Sequence, residues 1–469
     1  MTIRRFSPFV LAACGAVALT ASAHPASPSA QQQQSEVRIT ISSGQEGLPP
    51  KLAVPPFMAL TKDAETVEAA RTVGEVLWAD LEFEKEFYMV PRDTYKTIPQ
   101  PASLDQVSLD RWRELGADGL LVGSVSRSET GVRVQFRLIN VSSGASAMAR
   151  EYSGAARTIA PAEVRLYAHT IADEVHQEQR GLRGIARTKI AFTSDRDGER
   201  IRGPVADRGI SNLYIADYDG ARQLRVTISR SLDISPVWAP DGRTIAFSSW
   251  RSGYQDIYLL FPYGGAPLQN PTKGTPGSQS YLPAWSPDGT RLAFTSSRDG
   301  NAEIYVMNRD GSGVRRVTDH PSIDTTPTWS PTGTQIAFVS DRTGTPQIYI
   351  VNVDGTGLQR ITRESYCDRP TWSPAPLNEI AYSARSGGGN IIKIFDFATR
   401  STRPLTDAIG NNESPAFSPN GRHVAFVSSR AGREQIFTIH RDGTGLRQIT
   451  RTGNNRFPHW SHYPAGPSK

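Results

Sequence analysis

The sequence has few cysteines, and their number excludes a disulfide-stabilised fold. Among 469 residues there are two, Cys14 and Cys367. Cys14 lies in a stretch that is typical of an export signal, so a mature chain cut after Ala23 keeps only Cys367 and forms no internal disulfide. Paired cysteines for a structural zinc site are missing for the same reason. The fold must therefore be stabilised by its own hydrophobic core, even in an oxidising compartment.

Long apolar runs are also missing beyond the first residues. Arg4 and Arg5 precede an apolar stretch from Phe9 to Ala18, and the small residues Ala21-Ser22-Ala23 follow, which predicts a signal peptide over residues 1–23. A rival interpretation is a lipobox, Leu11-Ala12-Ala13-Cys14, which leaves Cys14 lipidated at the mature N-terminus. No other stretch approaches the roughly 18 apolar residues that a transmembrane helix needs. We therefore expect an exported protein with no membrane span after signal removal.

The common catalytic motifs are absent as well. The sequence has no Gly-x-Ser-x-Gly elbow, no His-Glu-x-x-His and no phosphate-binding loop ending in Gly-Lys-Ser/Thr. His169 and His176 are seven residues apart, a spacing that favours an exposed helix surface over a metal site. The formal net charge is only +6, which is weak support for a nucleic-acid partner. These absences favour a protein without catalysis, cofactor or bound nucleic acid.

The second half of the chain contains a repeated hairpin. Its clearest copy runs from Pro283 to Phe294 and reads P-A-W-S-P-D-G-T-R-L-A-F. Pro-Asp-Gly predicts a turn, and the alternating apolar residues after it predict a returning strand. Further copies begin at Trp238, Trp329, Trp372 and Phe417, with a period of roughly 44 to 47 residues. This period is typical of four-stranded propeller blades.

Two incomplete units indicate how the ring closes. The unit that begins at Lys189 has a returning strand but no inner strand before it, whereas Phe457 to Trp460 is an inner strand with no unit after it. Together they complete one blade. We therefore predict a six-bladed β-propeller over residues 189–464, closed by the C-terminal strand and followed by a tail, 465–469.

The first half predicts a smaller domain of mixed type. Residues 24–35 read as a flexible leader, and residues 36–180 as an α/β domain, joined to the propeller by a linker over 181–188. Within it, apolar residues at helical spacing predict a helix that buries Val67, Ala70, Val73, Gly74, Leu77 and Leu81. A further helix is predicted between Arg157 and Gln179. Residues 36–43 alternate apolar and polar side chains, so they form a strand that either docks in this domain or pairs with a partner's sheet edge.

Two residue types recur once in every blade. The first is an aromatic residue of the inner strand, which we interpret as packing between sheets rather than as a stacking platform. The second is an arginine after the second strand, which we interpret as a structural bridge between neighbouring loops rather than as an anion site. The arginines are Arg196, Arg251, Arg298, Arg342, Arg385 and Arg430.

The residues leading into the inner strands vary from blade to blade and all reach one face around the central channel. Their mixture of carboxylates, arginines and aromatics suits a polar protein interface. Solvated loops lining a water-filled channel are an equally good interpretation.

Specific motifs resemble one family, that of the TolB proteins of the bacterial Tol-Pal envelope system. They are Glu36-Val37-Arg38-Ile39, Leu115-Gly116-Ala117-Asp118 with Val122-Gly123, Ala216-Asp217-Tyr218-Asp219-Gly220, and the Trp-Ser-Pro-Asp-Gly repeats. The resemblance implies a periplasmic, non-catalytic protein with an α/β domain and a six-bladed propeller. It implies three kinds of partner: a TolA-like inner-membrane protein, a lipoprotein like the peptidoglycan-associated lipoprotein Pal, and other outer-membrane lipoproteins.

The same resemblance implies which residues bind. The TolA-binding segment is Glu36, Val37, Arg38, Ile39, Thr40, Ile41, Ser42 and Ser43. The family's Pal-binding face is formed by the inner-strand entry loops, which in this sequence contain Asp233, Gln279, Tyr281, Leu282, Asp324, Thr325, Thr326, Asp368, Arg369, Glu413 and Arg456. Position by position, the resemblance extends to Gln279, Leu282, Thr325 and Thr326. The family often has His and Glu among the positions of Gln279, Leu282, Thr325 and Thr326, and this sequence has neither.

Two functions of different classes follow. The first is an envelope scaffold that supports outer-membrane integrity and envelope constriction at cell division. The alternative is a periplasmic enzyme or small-ligand-binding protein that uses the propeller channel.

Overall fold

The structure is a computed structural model that describes residues 39–43, 47–128, 131–153, 160–201, 208–273 and 277–464. The predicted signal peptide, the leader, Cys14, the segment Glu36-Val37-Arg38 and the tail 465–469 lie outside these residues. Among the described helices, none is long and apolar enough to cross a membrane.

The first domain contains one mixed sheet and three α-helices. Its elements are β1 (Lys51–Ala53), β2 (Met58–Ala59), α1 (Ala64–Glu84), β3 (Tyr88–Met89), a 3-10 helix (Arg92–Tyr95), α2 (Asp110–Glu114), β4 (Gly119–Ser128), β5 (Gly131–Asn140), β6 (Ser146–Ser153) and α3 (Pro161–Arg180). The strand order is β3-β1-β4-β5-β6, with β2 also paired to β4. β1 runs parallel to β3 and β4, whereas β4, β5 and β6 are antiparallel.

Helix α1 begins at a capping network that sets which face is buried. The Asp63 carboxylate accepts a hydrogen bond from the Thr66 backbone N–H at 3.0 Å, as expected of an N-cap. This network turns Thr66 inward, so the buried stripe continues through Ala70, Val73 and Leu77. The prediction that Val67 belongs to the buried face is wrong, because Val67 is one residue further round the helix and is 50% exposed.

Other parts of the first domain also differ from expectation. Helix α3 starts at Pro161 rather than near Arg157. The prediction of an exposed helix surface at His169 and His176 is wrong, because both side chains are buried. Strand β6 was not predicted at all, since most of its residues are exposed and polar and give no alternating pattern.

The propeller strands follow in chain order. They are β7 (Lys189–Ser194), β8 (Arg200–Ile201), β9 (Arg208–Gly209), β10 (Asn212–Asp217), β11 (Leu224–Arg225), β12 (Asp233–Trp238), β13 (Ile245–Ser249), β14 (Asp256–Leu260), β15 (Ser280–Trp285), β16 (Arg291–Ser296), β17 (Glu303–Asn308), β18 (Arg315–Arg316), β19 (Asp324–Trp329), β20 (Gln335–Ser340), β21 (Gln347–Asn352), β22 (Gln359–Arg360), β23 (Cys367–Trp372), β24 (Glu379–Ser386), β25 (Gly389–Asp396), β26 (Ser401–Pro404), β27 (Asn412–Phe417), β28 (His423–Ser428), β29 (Gln435–His440), β30 (Arg447–Gln448) and β31 (Asn455–Trp460).

These strands form six blades, as predicted, except for β8 and β9, which pair only with each other. Blade 1 has the order β11-β10-β7-β31, blade 2 is β12-β13-β14, and blades 3 to 6 each contain four consecutive strands, from β15 to β30. The C-terminal strand β31 pairs antiparallel with β7, which confirms closure within blade 1. The Trp460 indole N–H also donates a hydrogen bond to Thr188 Oγ1 at 2.8 Å. The first and last parts of the propeller are therefore joined in one sheet.

The repeated aromatic and arginine residues are structural. Each inner-strand aromatic from Trp238 to Trp460 is buried, as packing between sheets requires. Five of the six arginines lie over an aromatic pair of their own blade, and Arg385 lies over Tyr366 alone. The Arg251 guanidinium, for example, is 5.2 Å from the Phe247 ring centre and 4.8 Å from that of Tyr258. The predicted bridges to neighbouring loops are found at Arg196, which donates a hydrogen bond to Gln223, and at Arg430, which donates one to Asp407.

A buried polar network joins the first domain to blade 1. His169 of α3 lies 2.8 Å from Asp80 of α1, and the Tyr218 hydroxyl donates to the other Asp80 oxygen at 2.6 Å. Lys189 pairs with Asp217, whose carboxylate is 3.8 Å from His169 Nε2. Burial lowers the pKa of His169, but Asp80 and Asp217 outweigh burial and raise this pKa to about 9.

The C-terminal end of α1 docks against blade 6. The Phe83 ring stacks on His423 with 4.2 Å between ring centres, and the backbone oxygen of Phe83 lies 3.1 Å from His423 Nε2. Burial raises the pKa of Glu84 to about 7, although this carboxylate accepts a hydrogen bond from Asn420 at 3.2 Å and faces Arg422. The domain interface is thus made of packed rings and hydrogen-bonded polar groups, although buried atoms such as His169 Nε2, Arg422 Nη1 and His423 Nδ1 have no hydrogen-bond partner among the described residues.

Candidate functional site

The mouth of the propeller channel is built by the same irregularity in every blade. In each inner strand the two residues that precede the proline lie at a β-bulge, which the second of them forms together with the proline. The predicted loops leading into the inner strands are therefore the first residues of the strands themselves. We call these pairs the mouth residues: Ile234 and Ser235, Tyr281 and Leu282, Thr325 and Thr326, Asp368 and Arg369, Glu413 and Ser414, Arg456 and Phe457.

The second residue of every pair has a left-handed backbone. Its φ is +52° in Ser235, Leu282 and Phe457, +53° in Thr326 and Ser414, and +55° in Arg369. Such a φ is uncommon for a residue with a Cβ, and a following proline disfavours helical backbone further. Hydrogen bonds hold the bulge, because the Leu282 N–H donates to Ser248 Oγ of the preceding blade at 3.0 Å and the Ser414 N–H donates to Ser383 Oγ at 3.1 Å. Backbone strain of this kind is often found at functional sites.

The bulges surround a cavity of about 320 Å³ that follows the channel. Its walls repeat a proline and an aromatic residue of the inner strand in every blade, and five blades add a second proline, so the lining is rigid and largely apolar. The repeated prolines are Pro236, Pro283, Pro327, Pro370, Pro415 and Pro458. The charged and polar groups are concentrated at the mouth.

The predicted partner-binding residues of the propeller occupy three kinds of position. Gln279 and Arg456 are exposed, and seven are half-buried at the mouth: Tyr281, Leu282, Thr325, Thr326, Asp368, Arg369 and Glu413. Asp233 and Asp324 are buried and accept hydrogen bonds from Arg251 and Arg342, each at 2.8 Å. These two carboxylates therefore hold the strand ends and do not face a partner.

One side of the mouth carries a connected polar group. Asp368 accepts hydrogen bonds from the Tyr366 hydroxyl at 3.3 Å and from Thr326 Oγ1 of the neighbouring blade at 3.5 Å. Burial, followed by the Asp368 carboxylate, raises the pKa of Tyr366 to about 12. Arg369 extends over the Phe457 ring of blade 1, with its guanidinium carbon 4.6 Å from the ring centre. This contact joins blades 5 and 1 across the mouth and presents an aromatic, cationic surface.

Four mouth residues were not selected from the sequence as partner-binding residues. Ile234, Ser235, Ser414 and Phe457 occupy the same repeat positions as the selected residues, and only Phe457 gives a contact that distinguishes it. Aligning the residues before each repeated proline would have found all of them. Nothing in a single sequence indicates the left-handed backbone of Ser235, Ser414 and Phe457, because none is glycine or asparagine.

The N-terminal segment is described from Ile39 onward. Residues 39–43 form no ladder of strand hydrogen bonds, contrary to the predicted strand, but they keep the predicted alternation: Ile41 is buried, whereas Thr40 and Ser42 are exposed. The Ile41 backbone N–H donates to Gln179 Oε1 of α3 at 2.8 Å. The Ile41 side chain packs against Gly119, where an added Cβ would lie 3.0 Å from Ile41 Cγ2. This segment therefore docks in its own domain through one apolar side chain.

The described residues contain no group of three or more His, Cys, Asp or Glu side chains suited to a metal ion. Cys367 is buried, and burial raises the pKa of its thiol to about 11, which leaves it protonated and unreactive at neutral pH.

Comparisons with known proteins identify the family. A family model described as the TolB amino-terminal domain matches residues 37–147, and one described as the TolB beta propeller domain matches residues 177–464. The Tol-Pal system protein TolB of Actinobacillus succinogenes is 33% identical over 217 residues, 46% of each chain. That of Alkalilimnicola ehrlichii is 36% identical over 221 residues, 47% of each chain. The matched region thus spans about half the length of these curated relatives.

A solved structure matches over more of the chain. The crystal structure of TolB from Acinetobacter baumannii superimposes with a TM-score of 0.72 and 28% identity, covering 88% of this chain and 97% of that one. The two family models and this superposition agree on an α/β domain followed by a six-bladed propeller. The resemblance seen in the sequence motifs is confirmed: the chain belongs to the TolB family.

Proposed function

We propose that this protein is a non-catalytic periplasmic scaffold of the Tol-Pal system. Its channel mouth binds a Pal-like lipoprotein, and its N-terminal segment, residues 36–43, binds a TolA-like inner-membrane protein. In this role it supports outer-membrane integrity and envelope constriction at cell division.

The observation that carries the proposal is the mouth itself. Six strained bulges hold half-buried side chains of varied chemistry at one end of an otherwise repetitive ring. Strain at this position has no benefit for the sheets, since each bulge interrupts the pairing of an inner strand. A rigid, concave surface with aromatic, cationic and carboxylate groups is suited to a folded protein partner.

The N-terminal segment suits a second, extended partner. Ile41 is the only residue of the described part, 39–43, whose side chain is buried, and one buried side chain can be exchanged at low cost. Release of Ile41 from the first domain exposes a short segment of alternating apolar and polar residues, which can pair with the edge of another sheet. Gln179 is then released from its hydrogen bond to Ile41.

A pull-down from envelope extract tests the proposal at the mouth. Thr326→Arg and Glu413→Arg place bulky cations among the mouth residues, and each should weaken capture of a Pal-like lipoprotein by at least about tenfold. Thr332→Arg is the matched control, because Thr332 is exposed in the turn at the opposite end of the same hairpin. We expect the control to bind as the unmodified chain does.

The opposite result would favour the channel as a ligand site. If no lipoprotein is captured, and a small molecule instead raises the melting temperature of the protein, the scaffold proposal fails. The channel cavity of about 320 Å³ is at the small end of the range for ligand pockets. Equal capture by the Thr326→Arg, Glu413→Arg and Thr332→Arg variants would place the binding site elsewhere.

A further inference from the structure

A second cavity lies in the first domain, away from the channel. Its volume is about 750 Å³, more than twice that of the channel cavity. It is enclosed by the connection between β1 and β2, the middle of α1, the 3-10 helix with the segment after it, α2 and β4. The proposed scaffold function uses none of the residues that line this cavity.

The walls of this cavity are apolar and rigid. Its main apolar residues are Val54, Met58, Ile98, Val107, Trp112 and Val122. Pro55 and Pro56 form one side, and Gln100 Nε2 donates a hydrogen bond to the Pro56 oxygen at 3.3 Å, which ties the opposite side to it. Tyr95 contributes its ring, because its hydroxyl is already bonded to the Val54 oxygen at 3.0 Å. The interior therefore offers apolar surface rather than free hydrogen-bonding groups.

The rim has the opposite character. Four cationic residues, Arg71, Arg92, Lys96 and Arg111, line the cavity with one carboxylate, Glu75. Three of these cations are neutralised by neighbouring carboxylates: Arg71 by Glu68 and Glu75, Lys96 by Asp93, and Arg111 by Glu114.

Arg92 is different from the other rim cations. Within the described ranges it has no carboxylate partner: its Nη2 contacts the backbone oxygens of Gly74 at 3.4 Å and Glu75 at 3.3 Å, and its guanidinium carbon lies 4.7 Å from the centre of the Trp78 ring. The side chain is half-buried. A half-buried guanidinium that faces an apolar cavity without a counter-charge is suited to bind an anion.

We propose that this cavity binds a single-chain amphiphile, an acyl chain that ends in an anionic head group. The chain occupies the apolar interior, where burial of its methylene groups favours binding. The head group lies at the rim and accepts hydrogen bonds from Arg92. A free fatty acid and a single-chain anionic phospholipid share this chemistry.

Titration of the delipidated full chain tests the proposal. Palmitate and a single-chain phosphatidylglycerol are the two probes, and hexadecanol is the control for the charge. At least one anionic probe should bind with one-to-one stoichiometry, about tenfold more tightly than hexadecanol. If only one anionic probe binds tightly, its class, free fatty acid or single-chain phospholipid, is the class of the ligand.

Two matched variants locate the binding. Arg92→Gln should weaken binding of the anionic probe about tenfold and leave the affinity for hexadecanol unchanged. Arg113→Gln is the control, because Arg113 lies on α2 beside Arg111, is paired with Asp110 at 2.9 Å, and does not line the cavity. The melting temperature of each variant shows that it is folded.

Cross-linking gives a readout that does not depend on these variants. A palmitate analogue with a photoreactive terminal carbon should attach to residues between Val54 and Met58, between Tyr95 and Trp112, or at Val122 and Gly123. The proposal is overturned if neither anionic probe binds, if hexadecanol binds equally well, if Arg92→Gln has no effect, or if the cross-link maps outside these segments.

Discussion

Six residues with left-handed backbone determine the shape of the channel mouth. Each precedes a proline, and none is a glycine, although glycine would adopt this φ without steric cost. A left-handed backbone costs an L-residue roughly 1–2 kcal/mol. The side chains at these positions therefore persist despite strain, which is what we expect if they contact a partner.

Ser235→Gly tests this strain. Ser235 has φ +52°, and its buried hydroxyl lacks a hydrogen-bond partner among the described residues. Glycine removes both penalties, and its gain of freedom in the unfolded chain offsets part of the benefit. We expect the free energy of unfolding to rise by about 1 kcal/mol, measured by urea denaturation.

Ser235→Ala is the control for the hydroxyl, because alanine removes the unpaired oxygen but retains the strained backbone. Glycine should be the more stable of the two variants. A glycine variant less stable than the alanine variant would show that the backbone at this position is not strained.

At the scale of secondary-structure elements, helices α1 and α3 connect the two domains electrostatically. Asp80 of α1 and His169 of α3 meet Asp217 and Tyr218 of blade 1 in a buried cluster. Burial raises the pKa of Asp217, but the His169 imidazole 3.8 Å away and the ion pair with Lys189 outweigh burial and lower this pKa to about 2. Protonated His169 is therefore the central cation between carboxylates of both domains.

This cluster predicts a loss of stability with rising pH. The folded pKa of His169, about 9, lies above its ordinary value of 6.5. Its contribution to stability is therefore complete below pH 6.5 and is lost as the pH rises through about 9. Between these values we expect the free energy of unfolding to fall by on the order of 2 kcal/mol, measured by urea denaturation.

Replacement of the histidine isolates its contribution. His169→Gln should remove most of this pH dependence, whereas His320→Gln, on the propeller and away from the cluster, should retain it. Parallel pH profiles of the unmodified chain and of His169→Gln would refute the assignment.

At the scale of the whole molecule, closure of the ring supports both domains. Strand β31 completes blade 1, the same blade whose Asp217 and Tyr218 meet α1 and α3. The Trp460 side chain is buried against the core that the propeller shares with the first domain. Loss of the last strand should therefore affect the interface as well as the ring.

Truncation tests this dependence. Removal of residues 457–469 exposes the edge of β7 and should lower the melting temperature of the entire protein. Trp460→Ala should have a smaller effect in the same direction, about 3–5 kcal/mol in the free energy of unfolding. Removal of 465–469 alone should leave the melting temperature unchanged. A propeller that melts at the original temperature without β31 would show that closure is unnecessary.

The six-bladed propeller and its closure could be predicted from the sequence alone. Turns such as Asp310-Gly311, alternating strands and an unpaired inner strand at each end are local or repeated signals, so they can be read without knowledge of distant contacts. Helix α1 was predicted for the same reason, and of the residues predicted to be buried on it only Val67 is exposed. The mouth was also located, because its residues precede a repeated proline.

The sequence alone does not show which of these residues are accessible to a partner and which are buried, because this depends on the tertiary structure. Asp233 and Asp324 accept hydrogen bonds from arginines of their own blades. His169 is buried because Asp80 and Asp217, distant in sequence, surround it. Two of the left-handed bulges, at Leu282 and Ser414, are held by hydrogen bonds to the preceding blade. The cavity beside Arg92 is formed by segments that are far apart in the chain. Burial, charge pairing and cavities depend on such long-range contacts, and a single sequence does not specify them.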